Sequence, residues 1–369
     1  MARAGLGSGW ECLFANDFDH KKSAAYCENW GDEALKTCDV GLLKTQDLPG
    51  CADLAWASFP CQDLSLAGGG AGLKGERSGT FCPFWDLMKA MSKDGKPPTM
   101  IVLENVTGAL TSHGGKDFSA ICGALANERY AFGAIIVDAA LFVPQSRPRL
   151  FIIAVRSSSA IPASLIGEGP QSPSHTRSLQ AAHSKLPWDI KENWIWWRLD
   201  APGKRAAALS DIIENDPKDV AWNTPEQTDR LLAMMSDVNL AKIQAAKKRG
   251  RKIVGAIYKR TRRDETGRRV QRAEVRFDDV AGCLRTPAGG SSRQIIIMVH
   301  GENIETRLIS SRETARLMGI PDDYVLPPRY NEAYHLTGDG VVVPVVRHLA
   351  AHILEPLLEE QTRMDRKAA

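Results

Sequence analysis

Short apolar runs alternate with longer amphipathic stretches over residues 10–156. The runs at 12–15, 54–58, 100–104, 130–137 and 151–155 read as buried strands. Helical periodicity falls between them, near 21–29, 84–91 and 118–127. Strands that alternate with helices predict an α/β fold, a mostly parallel sheet covered by helices on both faces. Such open sheets bind ligands at the carboxyl ends of their strands. Polar clusters stand at those ends, at 16–19, 59–62 and 104–105.

The pattern changes after Arg156. Residues 157–175 are rich in Ser, Pro and Gly and read as a linker. Trp194, Trp196 and Trp197 follow and read as core of a small domain rather than as a base-stacking platform. A helix-like stretch covers 226–248, and an apolar run at 341–360 reads as a strand or helix start with a helix behind it. A second, smaller domain is therefore expected, and no internal repeat is visible.

Composition narrows the class. A chain of 369 residues, 43% hydrophobic and 25% charged, is that of an ordinary soluble globular protein. No run approaching 18 apolar residues and no apolar signal-peptide core are visible, so no membrane association is expected. Eight cysteines without CxxC pairs indicate neither a disulfide framework nor a metal site. A reducing, cytoplasmic compartment follows, in which a special cysteine is catalytic rather than structural.

The net charge is only +3, yet residues 247–276 hold thirteen Lys or Arg against Asp264, Glu265 and Glu274. That segregation suggests a face for a polyanion; a solvated surface helix is the plainer reading.

Three segments carry chemistry. Phe59-Pro60-Cys61-Gln62 closes one strand and opens onto the glycine-rich 66–79. A thiol placed so is a candidate nucleophile, because even its small thiolate fraction reacts readily; a buried structural cysteine is the alternative. Leu103-Glu104-Asn105-Val106 ends the neighbouring strand with an acid. Gln145-Ser146-Arg147-Pro148-Arg149 leads into another, its arginines spaced to point the same way. Taken singly, Glu104 is a surface acid and Arg149 its salt-bridge partner. Taken together, cysteine, carboxyl and guanidinium converge at one sheet edge.

Pro60–Gln62, Glu104–Val106 and Gln145–Arg149 resemble, in order, the Pro-Cys-Gln, Glu-Asn-Val and Gln-x-Arg-x-Arg motifs of the DNA (cytosine-5)-methyltransferase family. Residues 307–321 resemble the block that ends that family's target-recognition region. Residues 338–346 resemble its final motif, with Asp where Asn is usual after the first Gly. No Asp/Asn/Ser-Pro-Pro-aromatic motif is present, which counts against amino methylation.

The resemblance implies a methyltransferase (Rossmann-like) sheet with a second, smaller target-recognition domain. It implies a catalytic domain at 1–165, recognition at 166–335 and a returning segment at 336–369. Cys61 would attack C6 of a flipped-out cytosine, with Glu104, Arg147 and Arg149 beside it. S-adenosyl-L-methionine would be held by Asp17, Phe18, Asp39, Val40, Pro60, Gly340 and Val341, with Asp19 the second choice for Asp17. DNA would meet Gln62, Ser65, Arg262, Arg263 and Thr286. The implied partners are double-stranded DNA and a cognate restriction endonuclease that forms no stable complex.

One departure stands out. The family opens with a strand and a Phe-x-Gly-x-Gly loop, and Met1 stands where that loop should have ended. The 5–9 glycines read instead as a loop leaving a helix. A start some 10–25 residues upstream (roughly one strand and its turn) is the expectation. Rival readings are a tRNA cytosine-5 methyltransferase, a DNA-binding relative with an impaired site and a cysteine hydrolase. The hydrolase lacks a histidine suitably placed for Cys61.

Overall fold

The computed structural model describes residues 1–59, 81–263, 265–285 and 293–368. In chain order it contains α1 (Ala2–Leu6), β1 (Ala15–Asp17), α2 (His20–Trp30), β2 (Leu35–Thr37), β3 (Leu54–Ser58), α3 (Phe81–Lys93), β4 (Met100–Val106), α4 (Lys116–Asn127), β5 (Tyr130–Asp138) and β6 (Pro148–Arg156). There follow α5 (Arg177–Ser184), α6 (Trp188–Lys191), α7 (Pro225–Ala233), α8 (Asp237–Lys247), β7 (Ile253–Arg263), β8 (Arg269–Arg276), β9 (Ile295–His300) and β10 (Asn303–Leu308). The chain closes with α9 (Ser311–Leu317), α10 (Tyr330–Asp339), α11 (Val343–Leu349), a π-helical turn (Ala350–Leu354) and α12 (Glu355–Ala368).

These elements pack into two compact units. The first comprises Leu6–Asp138, Pro148–Ala201 and Val346–Ala369; the second comprises Met1–Gly5, Ala139–Arg147 and Pro202–Val345. The division falls elsewhere than the sequence boundaries at 165 and 335.

In the first unit, a four-stranded sheet runs in the order β3-β4-β6-β5, and β1 and β2 form a separate parallel pair. Only β3–β4 is parallel in the larger sheet; β6 is antiparallel to both β4 and β5. The expected mostly parallel sheet is thus mixed. The cause is the connection between β5 and β6, which spans only 139–147: a parallel return needs a crossover of a dozen or more residues. Both faces of β4 and β6 are buried, so these strands read as continuous apolar runs. Ile101, Leu103, Phe132, Ile152 and Ala154 pack with Phe81, Trp85 and Met88 of α3 and Phe118 and Ile121 of α4.

The tryptophan cluster belongs to this unit rather than to a second domain. Ile195 N donates to Phe132 O at 2.7 Å, and the fully buried Trp197 donates its indole N–H to Ile153 O at 3.0 Å. A Cβ on Gly133 would stand 1.9 Å from Ile195 O, so only glycine admits this close crossing of β5.

The second unit holds an antiparallel sheet in the order β10-β9-β7-β8. Leu231 of α7, Met235, and Ile243 and Ala246 of α8 pack against Ile257, Ala273, Val275 and Ile297. The single helix expected at 226–248 is two. Thr224 and Gln227 form a capping box that starts α7 behind Pro225 at its first position. Ala273 N then takes Met234 O at 3.1 Å, which draws the chain out of the helix before Ser236 restarts it. The block at 307–321 is anchored by Arg307 and Glu313, both fully buried and 2.6 Å apart, with Ser310 capping α9.

The run Tyr330–Met364 has the length and hydropathy of a membrane span, a feature that sequence reading missed, and half of its apolar window is buried. Val346, Leu349, Ile353 and Leu354 are at most 1% exposed, as in a core helix.

Candidate active site and nucleic-acid interface

Strand register brings the candidate acid and arginine together at one edge of the first unit. Glu104 pairs with Phe151 and Val106 with Arg149 across β4 and β6. Glu104 and Arg149 are therefore diagonal neighbours on one face, within reach of long side chains. Their groups meet at 3.2 Å, Arg149 Nε to Glu104 Oε1, with Glu104 buried and the Arg149 side chain 15% exposed. Arg149 Nη1 also donates to Pro148 O at 3.0 Å. A carboxyl held against a guanidinium at a sheet edge can hydrogen-bond a ring nitrogen and a carbonyl oxygen side by side.

Asn105 points to the opposite face. Its amide donates to Phe59 O at 3.0 Å and its carbonyl accepts from Val106 N at 2.8 Å. The carbonyl next before Pro60 is thereby pinned to the end of β4. Sequence reading named Asn105 only as part of a motif; an amide beside the acid was the available signal for this role. Phe59 and Phe81 pack with ring centres 5.4 Å apart. Pro60, Cys61, Gln62, Ser65 and Thr286 lie outside the described residues.

Arg147 lies in the second unit and is 2% exposed. Its Nη1 donates to Leu284 O at 2.8 Å, and its Nη2 donates to Gly338 O at 2.7 Å and Gly340 O at 2.8 Å. The two arginines of the motif thus have different partners. Gly340 sits in a tight place, where a Cβ would meet Met1 Sδ at 2.0 Å, and Val341 is buried.

Four other sequence candidates meet at the carboxyl ends of β1 and β2. Asp17 pairs with Thr37, and Cys38 N donates to Asp17 O at 3.1 Å. Asp17 accepts from Asp19 N at 2.9 Å, and Asp39 accepts from Gly41 N at 2.8 Å at the start of the turn through Val40. Phe18 is 69% exposed between them. Two acids beside an exposed ring at a parallel edge suit a nucleoside, with carboxylates for its hydroxyls and amine and a face for its base. Asp19 is taken up as the N-cap of α2, accepting from Lys21 N and Lys22 N. Those contacts hold its carboxyl below the ordinary range against the opposing effect of burial. Among the described residues, no group of three or more His, Cys, Asp or Glu could hold a metal ion.

The basic stretch is a β-hairpin, not a surface helix. The base of β7, Ile253–Ile257, is mostly buried, while 260–263 and 268–269 are exposed. Arg260 stands directly opposite Arg272, and Arg263 opposite Arg269. On one face Tyr258 donates to Glu274 Oε2 at 2.6 Å, Arg262 Nη2 donates to Oε1 at 2.7 Å, and Arg260 lies 4.6 Å from the Tyr258 ring centre. Arg262 is therefore partly neutralised. Arg263 Nη1 donates to Gly267 O at 2.9 Å.

A family model described as C-5 cytosine-specific DNA methylase matches residues 2–355. The type II methyltransferase M.NgoFVII of Neisseria gonorrhoeae is 25% identical over 366 residues, covering 97% of this chain and 84% of that protein. M.HhaI of Haemophilus parahaemolyticus, also a type II methyltransferase, is 24% identical over 363 residues, covering 95% and 92%. The fold resembles that of the S. pombe Dnmt2 methyltransferase, with a TM-score of 0.55 at 18% identity over 94% of this chain and 91% of that one. It also resembles the Entamoeba histolytica methyltransferase EhMeth, with a TM-score of 0.57 at 13% identity over 94% and 89%.

Proposed function

The chain belongs to the C-5 cytosine-specific DNA methylase family, and from that premise we propose how its own residues methylate C5 of a cytosine in duplex DNA. The observation that carries the reading is the end of β4, where Glu104 is paired with Arg149 and Asn105 grips the carbonyl immediately before Pro60-Cys61.

Cytosine C5 is a poor nucleophile. Addition of the Cys61 thiolate to C6 makes C5 enamine-like, while Glu104 hydrogen-bonds or protonates N3 and takes up the developing charge. Arg149 orients Glu104 and holds the base O2. S-adenosylmethionine, when bound, supplies the methyl group from its sulfonium. Loss of the C5 proton to solvent and expulsion of Cys61 restore the aromatic ring and the free thiol. A stacked base is out of reach, so the cytosine is flipped out at a cost of roughly a few kcal/mol.

Asp17 takes the cofactor's ribose hydroxyls, Phe18 stacks on its adenine and Asp39, with Val40, meets the adenine amine. Pro60 is the candidate for its methionine end. The first unit carries catalysis and the second carries target recognition. Gln62, Ser65 and Thr286 meet DNA near the base, and the hairpin of β7 and β8 meets phosphates. A type II setting, suggested by the relatives' names, would pair this activity with a restriction endonuclease.

Incubation with S-adenosyl-[methyl-³H]methionine and either unmethylated plasmid DNA or bulk tRNA tests the reading. Label should appear as 5-methylcytosine in the duplex DNA. Label confined to tRNA, or found on an exocyclic amine, would overturn it.

A further inference from the structure

Within the second unit, β7 outruns the rest of its sheet. Ile257 pairs with Ile295, the first residue of β9, and beyond it, among the described residues, β7 pairs with β8 alone. Side chains alternate along a strand, so Lys259, Thr261 and Arg263 continue the face that Ile257 turns toward α7 and α8. Arg269 and Gln271 stand opposite Arg263 and Thr261 on that same face.

A cleft of about 230 Å³ opens at the root of this extension. Its floor is apolar, formed by the buried Leu231 and Ile295 with the half-buried Met234 and Leu308. Its rim is polar: Gln227 and Arg230 come from α7, Lys259 from β7 and Asn223 from the chain just before α7. Gln227, Arg230, Leu231 and Met234 stand at i, i+3, i+4 and i+7, so one helical stripe supplies half of the lining. Glu226 and Asp229 fall off that stripe, and none of the eight lining residues is an acid. The Gln227 carbonyl accepts from Thr224 N at 2.9 Å, which leaves its amide nitrogen to donate.

Two cations and an amide donor above an apolar floor complement an anion with an apolar body. The volume lies below the roughly 300–1,000 Å³ of small-molecule sites, which favours one unit of a longer chain over a whole free ligand. A deoxyribose is such a unit, with an apolar C–H edge and a phosphate on either side. We propose that the cleft seats one sugar of the DNA backbone, the deoxyribose on the floor and its phosphates against Arg230, Lys259 and the Gln227 amide. The proposal rests on the reading that this chain acts on duplex DNA. Such a contact carries no sequence information; it fixes the register of the hairpin on the duplex while other groups read bases.

Binding of a duplex DNA fragment by the full chain, followed by fluorescence anisotropy between about 50 and 200 mM salt, tests the seat. Arg230→Gln and Lys259→Gln should each reduce the salt slope by about one. Gln227→Trp adds bulk at the exposed rim and changes no charge. It should still reduce the slope by about two, because a filled cleft keeps the phosphates from both cations. Diffuse surface charge predicts a slope that follows charge and ignores bulk. A wild-type slope in Arg230→Gln or in Gln227→Trp would overturn the proposal. Should Gln227→Trp fail to fold, hydroxyl-radical oxidation of Met234 in the wild type decides in its place. Bound duplex should slow that oxidation, and an unchanged rate would overturn the seat. A wild type without salt-dependent affinity for duplex DNA would instead sink the DNA reading on which the proposal stands.

Discussion

Glu104 and Arg149 pair at a buried edge, so a change to either bears on stability as well as on the chemistry proposed for them. A buried pair that loses one partner leaves an uncompensated charge, a cost of about 3–5 kcal/mol where burial is complete. Truncation would therefore confuse unfolding with lost catalysis, and conservative changes are the better probe. Glu104→Gln keeps the shape and removes the proton donor. It should lower single-turnover methyl transfer at least about 100-fold, the scale of a general acid, with duplex binding nearly unchanged. A loss under about threefold would remove Glu104 from the mechanism.

Cysteine reactivity gives a second check at this scale. Burial pushes the thiols of Cys82 and Cys122 upward, so both are held protonated at neutral pH. Iodoacetamide at pH 7.5 should leave Cys122 unlabelled in the folded protein, as read by peptide mass mapping. Rapid labelling there would contradict its place in the core. The acid and the arginine were legible in the sequence because each ends or opens an apolar run. The use of Arg147 was not, since its acceptors lie 137 and 193 residues away and no local pattern announces them.

Among the elements, the hairpin of β7 and β8 is the clearest sign of a charged partner. Like charges directly opposite on paired strands are destabilising, yet Arg260–Arg272 and Arg263–Arg269 stand so in its exposed part. The two pairs point to opposite faces of the hairpin, and a polyanion laid against either face would relieve the repulsion there. If six such charges meet phosphates, affinity for duplex DNA should drop about 10³-fold between roughly 50 and 200 mM salt. Arg269→Gln with Arg272→Gln should reduce the salt slope by about two. Arg262→Gln should reduce it less, because Glu274 already offsets that charge. A slope untouched by the double change would return the hairpin to a solvated surface.

Glu274 also makes the hairpin acid-sensitive. Although burial opposes it, hydrogen bonds from Tyr258 and Arg262 hold its carboxyl below the ordinary 4.5. A lowered folded-state value adds stability that is present above about pH 4.5 and is lost as pH falls through that lowered value. Amide exchange in 257–275, corrected for intrinsic rates, should quicken in that acid range for the wild type, and Glu274→Gln should flatten the response. An acid response unchanged in the variant would refute this.

Elements buried on both faces, β4 and β6, were legible as apolar runs. The first strand was misplaced: 12–15 looked apolar, but pairing begins at Ala15, where the Asn16 amide donates to Lys36 O and Cys38 O. The hairpin's charge was legible, while its strand geometry was hidden by arginines and lysines, whose intrinsic preference is for helix.

At the scale of the molecule, two units with separate cores each bring together segments distant in sequence. Chain order alone suggested boundaries at 165 and 335. Contacts decide otherwise, because Trp197 is buried with β6 and residues 139–147 leave the sheet that flanks them. The central claim is that this chain methylates cytosine through a covalent adduct at Cys61, and one measurement addresses it directly. Duplex DNA amplified with 5-fluoro-dCTP cannot release a C5 proton once methylated, so a reacting enzyme is trapped on it. With S-adenosylmethionine, the wild type should form a complex that survives denaturing electrophoresis, and peptide mapping should place the DNA on Cys61. Cys61→Ser should form none. A trapped complex in Cys61→Ser, or one mapped to another cysteine, would contradict the account.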